Sequence, residues 1–114
     1  MTVSETEIID QYRCLALEWA ELRGDPKKAN KVFKQHHAYY KQVRDLPAGQ
    51  AALLVLLSDP EPSVRLLAAT HALRFAEREA VPVLNALERS AGVYAMDAEY
   101  TLTNFREGRL DLDW

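Results

Sequence analysis

The chain is poor in the residues that usually betray chemistry. It has one cysteine, Cys14, among 114 residues, so no internal disulfide can form and a reducing, cytoplasmic setting is expected. Four glycines in all leave no room for a P-loop, a glycine-rich phosphate cradle or a nucleophile elbow. No apolar run approaches the roughly 18–20 residues that cross a bilayer, and no membrane role is expected. The opening residues Met-Thr-Val-Ser-Glu-Thr-Glu carry neither a basic nor an apolar stretch, so a secretory signal is not expected there. Alternating period-two segments and Asn-Gly or Asp-Gly turns are missing as well, which excludes an ordinary sheet. What remains is 48% hydrophobic and 27% charged, a globular balance. The net charge of −3 is too mild for binding nucleic acid or lipid over the whole surface.

The pattern that is present is helical throughout. Ser4 and Glu7 form an S-x-x-E capping box flanked by Val3 and Ile8 as a hydrophobic staple. Ile8, Tyr12, Leu15, Ala16, Trp19 and Leu22 then recur on one face, giving a helix over 5–23. Gly24 is expected to stop it in the left-handed conformation, and Asp25-Pro26 restarts the chain as cap and first turn. The helix over 26–45 gathers Ala29, Val32, Phe33, His36, Tyr39, Tyr40 and Val43 on one side, with lysines opposite. Leu46-Pro47 ends it. Further helices follow over 48–58, 63–76, 79–90 and 93–107, with Pro82 in the first turn of the fifth. The fourth is apolar on two faces, through Val64, Ala68, His71 and Phe75 and through Leu66, Ala69 and Leu73. That places it between neighbours in a stack. Residues 109–114 are an irregular tail.

Two of these helix pairs resemble each other. Leu53, Leu54 and Leu57 match Val83, Leu84 and Leu87, and Val64, Ala69, Ala72 and Leu73 match Val93, Ala98, Thr101 and Leu102 one residue closer. A repeated helix pair is the mark of a solenoid. The stretch Leu57-Ser58-Asp59-Pro60-Glu61-Pro62-Ser63-Val64-Arg65, followed by Ala68-Ala69 and Ala72-Leu73, resembles a HEAT-type repeat. That likeness implies that Asp59 and Arg65 pair structurally along the turns. The second unit departs from it, with Glu88 and Tyr94 in the corresponding places, as in a terminal repeat. The chain as a whole is similar to a small bacterial family of unknown function, number 2019. The likeness runs from Asn30-Lys31-Val32-Phe33 through Asp59-Pro60 and Val64-Arg65-Leu66 to Ala98, Leu102 and Gly108. It implies a compact α/α stack and no activity. The expected fold is therefore all-α, a HEAT-like α/α superhelix of about six helices in three antiparallel pairs. It forms a single domain over 1–114, with an N-terminal pair over 5–46, two HEAT-like pairs over 48–108 and the tail.

Three features compete as functional sites. His36 and His71 fall on apolar faces, and adjacent His36 and His37 point about 100° apart on a helix. They read as core or boundary residues, not as ligands, so neither metal nor cofactor is expected. An enzyme using Asp97 or His36 finds no acid–base partner at a workable spacing. The second feature is the stripe Lys27, Lys31, Lys34 and Lys41. Residues 23–46 hold seven basic and two acidic side chains, +5, whereas 1–22 and 47–114 each sum to −4. This stripe is a solvated face partly paired with acids of the first helix, a dock for an acidic protein, or a track along a phosphate backbone. The third feature is the C-terminal end, where Val93, Asp97, Tyr100 and Asn104 replace the apolar stripe of the fourth helix, beside Asp111, Asp113 and Trp114. It is either a protein-binding surface or an ordinary polar end cap with a loose tail. The leading expectation is a non-enzymatic protein-binding module, of the immunity or antitoxin type, acting as a monomer or homodimer. The alternative is nucleic-acid binding through the lysine stripe.

Overall fold

The computed structural model describes residues 3–114. They form α1 (Glu5–Glu21), α2 (Pro26–Val43), α3 (Pro47–Leu56), α4 (Pro62–Ala72), α5 (Glu77–Arg89) and α6 (Ala95–Arg106), with no strand among the described residues. The chain is all-α. Helix α1 packs on α2, α3 and α4. The stack then continues from α3 to α4, α4 to α5 and α5 to α6, with α4 also touching α6. Helix α4 is the middle layer. Val64, Leu66, Leu67, Ala68, Ala69, His71 and Ala72 are all buried, so its two apolar faces serve two neighbours. Small residues on it allow close helix approach.

Local chemistry sets the helix starts. The Ser4 hydroxyl accepts the Glu7 amide at 3.1 Å, and Ile8 enters the core while Val3 stays exposed. The Asp25 carboxylate accepts the Lys28 amide at 3.2 Å ahead of Pro26. Prolines 26, 47 and 62 each occupy a first turn, where the missing amide costs no helical hydrogen bond.

The structure corrects several details. Gly24 does not take the left-handed conformation; α1 ends in a turn in which the Asp25 amide reaches the Leu22 carbonyl at 2.8 Å. The left-handed residues are Ala91 (φ 57°) after α5 and Gly108 (φ 72°) after α6. Helix α5 begins at Glu77, two residues early, so Pro82 lies beyond the first turn and leaves one carbonyl of that turn without its helical donor. Gly49 is needed for space. A Cβ there would stand 1.8 Å from the Val43 carbonyl oxygen, so the start of α3 rests directly on the last turn of α2.

The expected Asp59–Arg65 side-chain pair does not form. Arg65 Nη1 instead donates to the backbone carbonyls of Asp59 (2.7 Å) and Pro60 (3.1 Å), closing the α3–α4 turn. The Asp59 carboxylate receives Arg13 Nε of α1 at 2.8 Å and the Glu61 amide at 2.9 Å. The turn is thereby riveted to the first helix.

Candidate functional site

The C-terminal tail is irregular but not loose. From Gly108 it runs back across the molecule to α2. Asp113 Oδ1 accepts Arg44 Nη1 at 2.6 Å and Arg74 Nη1 at 2.9 Å. The Leu112 carbonyl accepts Arg44 Nη1 at 3.2 Å. Lys41 Nζ donates to the carbonyls of Asp113 (3.2 Å) and Trp114 (3.3 Å). The Asp113 carboxyl is held below its ordinary range, chiefly by the Arg44 hydrogen bond and further by Arg74. Arg44 stands at the C-terminal cap of α2, where the helix dipole already favours a cation. The expectation of a loose tail is overturned by these bonds.

Trp114 completes the clasp. Its ring stacks on His37 with centroids 3.8 Å apart and planes 3° from parallel, and it lies 5.9 Å from Phe33. His37, read from the sequence as a core or boundary residue, is buried alongside His36 and His71. The three imidazoles and two tyrosines form one buried cluster. Tyr40 stacks on His71 at 3.8 Å, His36 lies 5.4 Å from His71, and Tyr12 packs edge-on against His36 at 4.1 Å. Tyr12 Oη is hydrogen-bonded to His71 Nδ1 at 2.6 Å.

Burial dominates the electrostatics of this cluster. Desolvation, reinforced by His37, pushes His36 down to about 3. Desolvation, then His36 and His37, takes His71 well below its usual value. His37 is lowered by desolvation and by Lys41 and Arg44, against a weaker upward pull from Asp111 and Asp113. The rings are neutral at physiological pH. Both ring nitrogens of His36 and Nε2 of His37 lack a hydrogen-bond partner. Among the described residues no three His, Cys, Asp or Glu side chains are grouped to hold a metal ion.

Between α4, α6 and the tail lies a cleft of about 390 Å³. Its floor is Leu66, Leu67 and His71, its aromatic walls are Trp19, Phe33, Tyr100 and Trp114, and its polar lining includes Asp97, Asn104 and Asp111. Of the seven residues expected at the C-terminal surface, Asp97, Tyr100, Asn104, Asp111 and Trp114 thus converge on one feature. Val93 and Asp113 do not line it. Val93 is exposed just before α6, and Asp113 is turned to Arg44 and Arg74. Asp97 pairs with Arg23 at 3.4 Å, whose guanidinium also sits 4.8 Å from the Tyr94 ring. Asn104 Oδ1 accepts Arg109 Nε at 3.3 Å, and Arg109 is paired with Glu107. Asp111 Oδ1 accepts the Asp113 amide at 2.8 Å and meets no cation among the described residues.

The outer face of α6 and the turn before it are open: Val93 in the turn and Met96 and Tyr100 on the helix are 67%, 81% and 72% exposed. The lysine stripe is exposed too, but none of its members pairs with the acids of α1 among the described residues, and Lys41 is committed to the tail. Cys14 is free and exposed. Sequence reasoning missed the roles of Arg44 and Arg74; the one available signal was a basic residue at the end of an amphipathic helix, opposite an acidic-aromatic tail.

No helix of the described residues is long and apolar enough to cross a membrane. No curated protein matches this chain. The crystal structure of the protein RPA1889 from Rhodopseudomonas palustris CGA009 is similar, with a TM-score of 0.84 and 22% identity over 96% of this chain and 94% of that one. At that identity the likeness establishes the fold, including the packed order of the helices, and carries no activity. The family model described as "Domain of unknown function (DUF2019)" matches residues 10–106. This runs from within α1 to the end of α6, and the chain belongs to that family.

Proposed function

We propose that this chain is a non-enzymatic protein-binding module that docks a single partner on the outer face of α6 and the adjoining tail. The observation that carries this reading is the exposure of Met96 and Tyr100 together on the last helix of the stack, with Val93 exposed just before it. An interior helix of the same stack buries its equivalent stripe. Tyrosine and methionine ringed by polar groups are the residues that interfaces favour. Residues 93–114 also carry five acidic and two basic side chains, a net −3 equal to that of the whole chain. The complementary partner therefore presents an apolar centre within a basic rim. The histidines that catalysis would draw on are instead packed in the core, with His71 Nδ1 engaged by Tyr12. A small chain that binds and blocks one protein, as immunity and antitoxin proteins do, suits such a surface.

The test is capture of tagged protein from native extract with and without nuclease, followed by affinity measurement on the purified pair. The expected result is a one-to-one complex that survives nuclease and weakens by about tenfold or more for Met96→Asp or Tyr100→Glu. A complex indifferent to both changes would overturn the assignment. Capture abolished by nuclease, and by Lys27→Glu, Lys31→Glu and Lys34→Glu together, would move the site to α2.

A further inference from the structure

The cleft beneath the tail has a chemistry of its own, which holds whether or not a protein docks outside it. Its volume of about 390 Å³ falls within the range of small-molecule pockets, roughly 300–1,000 Å³. The floor is apolar apart from the His71 ring. The walls are aromatic and come from four separate parts of the chain, with Trp19 from α1, Phe33 from α2, Tyr100 from α6 and Trp114 from the tail. Trp19 and Trp114 pack against Phe33 with centroids 6.1 and 5.9 Å apart, one continuous aromatic surface of the kind that accommodates a flat apolar body or a cation.

The charges decide between ligand classes. Two carboxylates, Asp97 and Asp111, and one guanidinium, Arg109, line the cleft. Arg109 is already paired with Glu107 and bonded to Asn104, and Asp97 is paired with Arg23. Asp111 alone has no cationic partner among the described residues. The imidazoles of His37 and His71 reach the cleft without bringing a positive charge, because both are buried. An anionic ligand would find no uncommitted cation there. A ligand with a positive group would meet the free Asp111 carboxylate and the electron-rich faces of the aromatic walls.

We propose that this cleft is a binding site for a small organic cation with an apolar body, an arylalkylammonium. Its ring lies over Leu66 and Leu67 against the aromatic surface, and its ammonium group points to Asp111. The tail is then a structural part of the site, since it supplies both the acceptor and the Trp114 wall, and the Asp113 clasp to Arg44 and Arg74 holds them in place.

The probes are 2-phenylethylammonium, the neutral 2-phenylethanol and the anionic phenylacetate, which share a ring and a short chain. The two tryptophans of the sequence, Trp19 and Trp114, both line the cleft, so intrinsic fluorescence reports occupancy directly. Amide chemical shifts locate it. The expected result is a saturable response to 2-phenylethylammonium with a dissociation constant on the order of a millimolar. The alcohol and phenylacetate should bind about tenfold more weakly or not at all. Asp111→Asn keeps an acceptor for the Asp113 amide and should weaken the ammonium by about three- to tenfold while leaving the alcohol unchanged. Equal binding of the three probes, no saturable response, or shifts that map away from Leu66, Tyr100 and Trp114 would overturn the proposal. None of these outcomes depends on a protein partner, so failure here leaves the α6 docking surface standing, and the converse also holds.

Discussion

Acidification should begin to destabilise this protein below about pH 6.5, before its carboxylates titrate, and the buried histidines are the reason. His36 and His71 are 1% and 4% exposed. Burial pushes His36 down to about 3 and His71 well below its usual value. Unfolding releases both to an ordinary imidazole near 6.5. Between those limits the unfolded chain binds protons that the folded chain refuses, so stability rises with pH and is lost as pH falls below about 6.5. At about pH 4.5, two units lower, His36 alone costs about 3 kcal/mol, and His71 adds to it in the same direction. That is a large share of the whole stability of a small domain, about 5–15 kcal/mol. The measurement is urea unfolding followed by circular dichroism at a series of pH values from about 7.5 to about 4.5. His36→Leu isolates one contributor. It discards two ring nitrogens that lack hydrogen bonds along with the edge contact to Tyr12, so stability near neutrality should change by no more than about 1 kcal/mol. Below about pH 5.5 the slope of stability against pH should fall by about 1.4 kcal/mol per pH unit. A stability flat down to about pH 4.5, or a slope that His36→Leu leaves unchanged, would refute the reasoning.

Four further substitutions test the packing. Gly49→Ala should destabilise by about 1–3 kcal/mol in chemical denaturation despite alanine's better helix propensity, because its methyl meets the Val43 carbonyl at 1.8 Å; a gain in stability would mean that α3 does not rest on α2 as described. Ala91→Gly should raise the thermal midpoint, with a gain of about 1 kcal/mol, since Ala91 holds a left-handed φ of 57°. Asp59→Ala should cost about 1–3 kcal/mol, because its carboxylate, 8% exposed, receives both Arg13 and the Glu61 amide. Arg65→Lys should be milder than Asp59→Ala in the same assay, because Arg65 holds only backbone carbonyls of the turn.

Features governed by near neighbours were legible in the sequence. The Ser4 and Asp25 caps, the prolines that open α2, α3 and α4, and the two-faced burial of α4 follow from a few adjacent residues and helical geometry. The same holds for Asp97, Tyr100 and Asn104, which sit on one face of α6 because of their spacing. Features governed by distant partners were not legible. Asp59 had a local candidate in Arg65, and the repeat-like spacing favoured it. The carboxylate instead points toward α1, and an arginine 46 residues earlier in the chain takes it. Gly49 carries no special backbone angle; its necessity comes from the approach of α2. His37 points off the apolar face of its own helix, so its burial depended on a tail whose return path no local rule encodes.

That return path changes the meaning of the basic helix. Read along the chain, residues 23–46 are a single block of +5. In the fold the block divides. Its C-terminal part, Lys41 and Arg44, is spent inside the molecule on the carbonyls of residues 112–114 and the carboxylate of Asp113. Its N-terminal part, Lys27, Lys31 and Lys34, stays exposed. An experiment that reverses all four lysines would therefore do two things at once: lower the field of α2 and loosen the wall that holds Asp111 and Trp114 over the cleft. Reversing Lys27, Lys31 and Lys34 alone tests attraction for an acidic or phosphate partner, and such attraction must weaken steeply with salt. Changing Lys41 alone tests the tail, and its effect should appear in Trp114 fluorescence before it appears in any binding measurement. The two halves of one helix thus belong to different questions, and only the second bears on the cleft.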